Sequence, residues 1–260
     1  MLVARRVASP NFSALSSGRP VPLHLRPLAP TAPDAILCGD PGRALAIAQR
    51  VLVKPRMSNH NRGLWGYHGS TPGGRELTVQ ATGIGGPSAA AVIAELAELG
   101  LRRAIRIGTC AAFGAAPPAG AALVVEGALG ADGTTAAFGL GGTSLAPDPG
   151  LFSALRRASD ATPIVVLSRD LQTSADSPQT TQTTQANLGV AAVGDLQTAA
   201  TFAACRRGGV AAAGLLAVAV SEGRRLEDEP LEAALLRLGG AAVEAFAAFD
   251  FQEASSSTGG

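Results

Sequence analysis

Charge imbalance is missing from this 260-residue chain. Its 21 Lys and Arg face 20 Asp and Glu, a formal net charge of +1. A nucleic-acid binder ordinarily carries a strong basic excess, so that class is set aside. Long apolar runs are missing too: none approaches the ~20 residues of a membrane-spanning helix, and no membrane partner is expected. Cysteine is scarce. Cys38, Cys110 and Cys205 are odd in number and lack metal-ligand spacing. They read as reduced, buried thiols of a cytoplasmic protein, with no disulfide framework and no metal site. Lysine is almost absent, Lys54 being the only one. Arginine replaces it, and nucleotide-composition bias accounts for that without function. Three signatures are also absent: G-x-G-x-x-G of dinucleotide sites, GK[ST] of P-loops, and G-x-S-x-G of hydrolase elbows.

What the chain does have is glycine beside arginine at the ends of apolar runs. AILCGDPGR spans residues 35–43, TGIGGPSAA residues 82–90 and RIGTC residues 106–110. An apolar run, a Gly-containing turn and a helical pattern read as strand, anion-binding loop and helix. Glycine lets the backbone approach an anion, and free N–H groups at a helix start favour negative charge. Arg43 and Arg106 add planar, permanently charged donors matched to phosphate oxygens. The spacing fits a small anion better than a nucleotide tail.

Elements alternate from Asp34 onward. Short apolar or β-branched runs predict strands over 35–38, 76–81, 103–107, 122–126 and 163–167, and a longer apolar run over 210–220. Helical spacing covers 41–52, 88–99, 151–158, 197–207 and 231–249, with Gly100 placed to cap the second of these. The expected fold is α/β: a single domain, with a mixed, largely parallel central sheet and helices on both faces. Domain limits are drawn at 1–23 for a poorly ordered extension, 24–250 for the α/β domain and 251–260 for a flexible tail. The extension carries arginine and no acid before Asp34, as transit peptides do, but Pro10, Pro20 and Pro22 interrupt any helix there. Residues 127–142 and 172–187 lack a clear period and are expected to be long functional loops.

GDPGR (39–43), NRGLWGYHG (61–69), TGIGGPSAA, RIGTC, SAD (174–176) and DLQTAATFAAC (195–205) occur in that order. Together they resemble the trimeric and hexameric nucleoside phosphorylases, the group of purine nucleoside phosphorylase and uridine phosphorylase. The resemblance runs from about His24 to Phe249. It implies phosphorolysis: a nucleoside and inorganic phosphate give a free base and a pentose 1-phosphate, with phosphate as co-substrate and no organic cofactor or metal. It implies Gly39, Arg43, Arg106 and Thr109 as phosphate ligands, with Arg106 also catalytic, and Arg62 donated by a neighbouring subunit. His24 matches a histidine that crosses the same contact to the sugar. A homo-oligomer follows, built from dimers as a trimer or hexamer.

Three departures qualify the resemblance. The sugar motif, usually E-M-E, is Asp195-Leu196-Gln197 here. Leu196 and Gln197 take the sugar positions, and Gln197 lacks the carboxylate that would stabilise a sugar cation. On this reading Gln197→Glu raises activity. Glu222 stands where the purine enzymes have Asp as proton donor, one methylene longer; Arg224 follows and is assigned to the base. The loop after SAD lacks the stacking aromatic, leaving Gln179 or Gln182 to meet the base edge. Two alternatives stay open: nucleosidase-type hydrolysis, and a non-catalytic homologue that binds nucleoside or phosphate.

Overall fold

The structure is a computed structural model that describes residues 22–113, 117–170 and 191–257, with side chains to residue 249. Residues 1–21 of the expected 1–23 extension, the loop expected over 172–187 with the SAD of 174–176, Gln179 and Gln182, and the last three residues lie outside those described.

Strand β1 (Asp34–Cys38) alternates its side chains between two buried faces. Ile36 and Cys38 pack with one core, Ala35 and Leu37 with the other. A strand buried on both sides reads as continuously apolar, which is why the sequence shows it without a polar alternation. Helix α1 (Pro41–Val51) follows, capped by the Asp40 carboxylate on the Arg43 N–H at 2.8 Å. Strands β2 (Val53–Asn59), β3 (Gly66–Ser70) and β4 (Glu76–Ala81) form an antiparallel meander. Sequence periodicity misses the first two. Pro55 and the charges of Lys54 and Arg56 mask β2, which tolerates them because it is the outer strand.

Helix α2 (Gly85–Glu98) starts three residues before the expected 88, using the GG pair as its first turn. It stops at Gly100, whose φ of 110° closes the end as expected. Strand β5 (Arg103–Ala112) leads to β6 (Ala122–Ala131), which is longer than expected. The long loop expected over 127–142 is a correction: it holds the end of β6 and the short helix α3 (Gly133–Ala137), capped by Asp132. Small residues there erase the apolar period but leave backbone pairing intact. Next come β7 (Ser144–Leu145), α4 (Pro149–Ala158), β8 (Thr162–Arg169) and β9 (Val193–Asp195). The chain ends with α5 (Thr198–Arg207), β10 (Ala211–Ser221), β11 (Arg224–Arg225) and α6 (Asp228–Ser257). The last helix runs past the expected 249.

All the strands belong to one mixed sheet. Parallel pairs join β1 to β4 and β5, β5 to β10, and β8 to β6 and β9. Among the described residues the antiparallel pairs outnumber them, six to five, so the sheet is less parallel than its sequence implies. β10 pairs with both β5 and β6. Because β6–β8, β8–β9 and β9–β5 also pair, five strands close into a ring. Helices α1, α4 and α6 cover one face, and α2 and α5 the other. Among the described residues no helix is long and apolar enough to cross a membrane.

Asp34 opens β1 and is 2% exposed. It pairs with Arg75 and with Arg103, whose Nε lies 2.6 Å away. Arg103 also sits 5.4 Å over the Phe249 ring, tying the last helix to the foot of the sheet. Removing one partner of a buried pair leaves uncompensated charge. Asp34→Asn is therefore expected to lower stability by about 3 kcal/mol in denaturant unfolding.

Candidate active site

The site forms where two neighbours of β5 part. β1 pairs with β5 as far as Cys38 opposite Ile107. β10 holds the other edge of β5 through Ala111, so β9 must join on the β1 side, at Ala111 and Ala112. Residues 108–110 of β5 face the gap between β1 and β9. In open α/β sheets ligands bind at such a divergence, beyond the carboxyl ends of the strands.

Arg106 enters this gap from the α2–α5 face. Gly108 is the next residue on that face, and its missing side chain makes room for the guanidinium: a Cβ there would lie 2.6 Å from Arg106 Nη2. The buried guanidinium donates from each of its three nitrogens. Nη2 donates to Asp195 at 2.9 Å, Nη1 to Gln197 Oε1 at 2.7 Å and Nε to Thr198 Oγ1 at 3.0 Å. Asp195 is also fixed, accepting from Ser168 Oγ at 2.6 Å and from the Thr198 N–H at 3.0 Å. Gln197 donates through Nε2 to the carbonyls of Gly83 at 2.5 Å and Gly85 at 3.1 Å. Both ends of its amide are thus used within the protein, and the acceptor expected for a sugar hydroxyl points to Arg106. Leu196, beside it, is half-buried.

Arg43 and Thr109 approach from the α1 face. Arg43 stands in the first turn of α1, and its Nη1 lies 3.4 Å from Thr109 Oγ1. Gly39 lies between the two faces: a Cβ there would be 3.4 Å from Gln197 Oε1 and 3.5 Å from the Gly83 carbonyl. Contacts thus link Gly39 to Gln197 and Gln197 to Arg106 on one face of β5, and Arg43 to Thr109 on the other. Burial pushes the Cys38 thiol, next to Gly39, up to about 12, against the opposing pull of Arg106 and Arg43. Burial alone raises Cys205 to about 12, and Cys110 is raised chiefly by burial, then by Asp195. All three thiols are free and buried, so none is a nucleophile at neutral pH.

The remaining predicted residues stand apart from this cluster. Arg62 is exposed in the 3₁₀ turn Asn61–Gly63 with a φ of 57°, and hydrogen-bonds to none of the cluster. His24 is its neighbour: Asn61 Nδ2 donates to the His24 carbonyl at 2.7 Å. His24 Nδ1 is buried without a hydrogen-bond partner. Glu222 and Gly223 form a two-residue hairpin between β10 and β11, with φ values of 51° and 70°. Positive φ at both positions marks a type I′ turn, and it carries Glu222 and Arg224 into solvent.

Sequence reasoning misses two residues with important contacts. Asp195 is legible there only as part of a sugar motif, yet it is the counter-ion of Arg106. Glu95 on α2 is buried and accepts the backbone N–H groups of Leu23, His24 and Leu25, each at 2.8 Å from one of its oxygens. Its signal is present: an acid within the apolar stripe of Ala89, Val92, Ile93 and Leu96. It fixes the segment that carries His24.

A cleft of about 320 Å³ lies beside Arg43, between α1 and α6. Its floor is Ile47, Leu231 and Leu235, and Asp40, Arg225 and Glu232 stand at its rim. Gly108→Ala tests the packing of the other arginine. The added methyl meets Arg106 Nη2 and, at 3.0 Å, Leu216 Cδ2. Arg106 cannot retreat without leaving Asp195, so a loss of about 2 kcal/mol in chemical denaturation is expected.

The model of the phosphorylase superfamily matches residues 33–249. Over 83 residues, 32% of this chain, the sequence is 41% identical to 35% of the DeoD-type purine nucleoside phosphorylase of Oceanobacillus iheyensis. Over 128 residues it is 35% identical to the uridine phosphorylase of Treponema pallidum, covering 48% of each chain. The alignments thus span about a third of the first relative and about half of the second. With the family model running from the foot of β1 into the last helix, the chain belongs to the phosphorylase superfamily.

Proposed function

We propose that this protein cleaves the N-glycosidic bond of a nucleoside with inorganic phosphate. The observation that carries the reading is the meeting of Arg43 and Thr109 at the divergence of β1 and β9. Water as nucleophile needs no cationic and hydroxyl cradle; an oxyanion does. Phosphate held there lies under the sugar. One of its oxygens attacks C1′ as the C1′–N bond breaks, and the bonding electron pair leaves with the base. Negative phosphate oxygens stabilise the positive charge that develops on the sugar ring. The base nitrogen takes a proton; Glu222 is the proposed donor, with Arg224 beside it, which requires the solvent-exposed hairpin that carries them to turn toward a bound base. Leu196 is assigned to the sugar and Gln179 to the base. Phosphate is the co-substrate, and no other cofactor is invoked.

The assembly is proposed to be a homo-oligomer in which His24 and Arg62 reach a neighbour's site. Support comes from the surface around them. Leu23 and Ile84 are 81% and 85% exposed, and Leu28, Met57 and Trp65 are exposed as well. The segments bearing all but Ile84 are joined: the Leu28 N–H donates to the Ser58 carbonyl, and Asn61 to that of His24. Apolar side chains gathered in this way fit burial against a second copy.

The test is release of free base from a panel of purine and pyrimidine nucleosides, with and without phosphate. Release only with phosphate is the expected result; release without it indicates hydrolysis, and no release in either condition removes the enzymatic reading. Arg43→Ala is expected to lower kcat/KM about 100-fold, mainly through the KM for phosphate. Mixing Arg43→Ala with Arg62→Ala chains tests the crossing. Each hybrid dimer regains one intact site, so randomly mixed chains recover about a quarter of wild-type activity. No recovery places Arg62 in its own subunit's site or in none.

A further inference from the structure

We propose that Phe113 is the wall against which the base of the nucleoside stacks. The inference rests on the nucleoside reading above. The stretch after SAD, residues 177–190, holds no aromatic side chain, so a stacking ring has to come from another element. Most of the described aromatic side chains are committed elsewhere. Tyr67, Phe202 and Phe246 are buried in the two cores, and Phe138, Phe152 and Phe249 pack against them. Trp65 lies on the apolar surface assigned to a second copy. Phe113 belongs to neither core and is only half-buried.

Its place follows from the strand before it. Cys110 and Ala112 of β5 pack with the core under α2 and α5, so Thr109, Ala111 and Phe113 share the opposite face. Phe113 extends the pairing with β9 by one residue, its N–H donating to the Ala192 carbonyl at 3.0 Å. Gly194 pairs with Ala111 and stands on that same face. The ring leans back over it: a Cβ at 194 would lie 2.7 Å from Phe113 Cζ and 2.8 Å from Cε1. Glycine at 194 thus makes room for the ring, and the ring fills the place of a side chain there. Arg169, the last residue of β8, sets its guanidinium carbon 5.7 Å from the ring centroid. A ring seated at its tip and flanked by a cation has little freedom left to lose on binding. From Thr109 to Phe113 the strand covers about 13 Å, at ~3.3 Å per residue. With phosphate at Arg43 and Thr109 under the sugar, a base lying further along β5 meets the ring. A flat aromatic face suits it, because every base has a π-face of its own.

The test measures binding of free purine and pyrimidine bases, with phosphate present, by calorimetry. Wild type, Phe113→Leu, Gly194→Ala and the double variant are compared, with phosphate binding and unfolding temperature measured for each. Leucine keeps apolar bulk and removes the ring. It is expected to weaken the base about fivefold and to hold phosphate within about twofold of wild type. Gly194→Ala drives the ring off its seat and is expected to weaken the base to a similar extent. Once residue 113 is leucine, the alanine should cost nothing further, whereas two independent structural losses would add. A loss of base below threefold in Phe113→Leu, an equal loss of phosphate, or additive losses in the double variant overturns the inference. Should Gly194→Ala not fold, Phe113→Leu decides by itself: a loss of base above threefold with phosphate retained sustains the proposal, and any other result overturns it. A wild-type protein that binds no base overturns it as well. A wild-type protein that binds a base through Phe113 but releases none from any nucleoside removes phosphorolysis and leaves this inference standing. Phosphate-dependent cleavage with base binding unmoved in Phe113→Leu does the reverse.

Discussion

The buried guanidinium of Arg106 is the constraint from which the rest of the site follows. A permanent cation with so little solvent must be met on every side, and here Asp195, Gln197 and Thr198 meet it. Those three residues lead into the start of α5, so the charge dictates where that helix begins. It also dictates glycine at 108, because any side chain would occupy the space of the guanidinium. Ser168 on β8 enters the same network through Asp195 and the Ala199 N–H. One side chain on β5 thereby fixes β8, β9, α5 and, through Gln197, the turn before α2.

The two faces of β5 contribute differently. Arg106 and its partners form a rigid, satisfied network on one side. Arg43 and Thr109 form a looser, more open pair on the other, held by a single long contact. Rigid groups shape the wall of a site, and groups with donors to spare are left for a ligand. The division follows from the two-residue period of a strand, which sends 106 and 109 to opposite faces. Where β1 parts from β9, Arg43 and Thr109 stay partly exposed while Arg106 remains buried.

Much of this is legible in the sequence, and for definite reasons. Strand β1 and helices α1, α2 and α5 are visible because apolar period, glycine and capping residues agree there. Gly39, Arg43, Arg106 and Thr109 come to notice as glycine, arginine and hydroxyl at strand ends, and Gln197 only through the resemblance of its motif to the sugar motif of the nucleoside phosphorylases. The rest needs three dimensions. The ring closure depends on β10 pairing at both edges, which no local pattern encodes. Proline, charge and brevity hide β2 and β9. The destination of the Gln197 amide and the role of Glu95 depend on partners 112 and about 70 residues away in sequence. Residue type announces that these groups are polar and unusual in place, but does not say what they face.

Closure of five strands also bears on how this chain avoids templating others. A strand with both flanks occupied offers no free backbone groups, so β5, β6, β8, β9 and β10 have little to present to another molecule's extended segment. The outermost strand of appreciable length is β2, and it is poorly suited to recruitment. Pro55 lacks an N–H, Lys54 holds a φ of 50°, and the pairing shifts register between Val53 and Arg56. The irregularity that makes this segment hard to read thus serves as a guard against fibrous association.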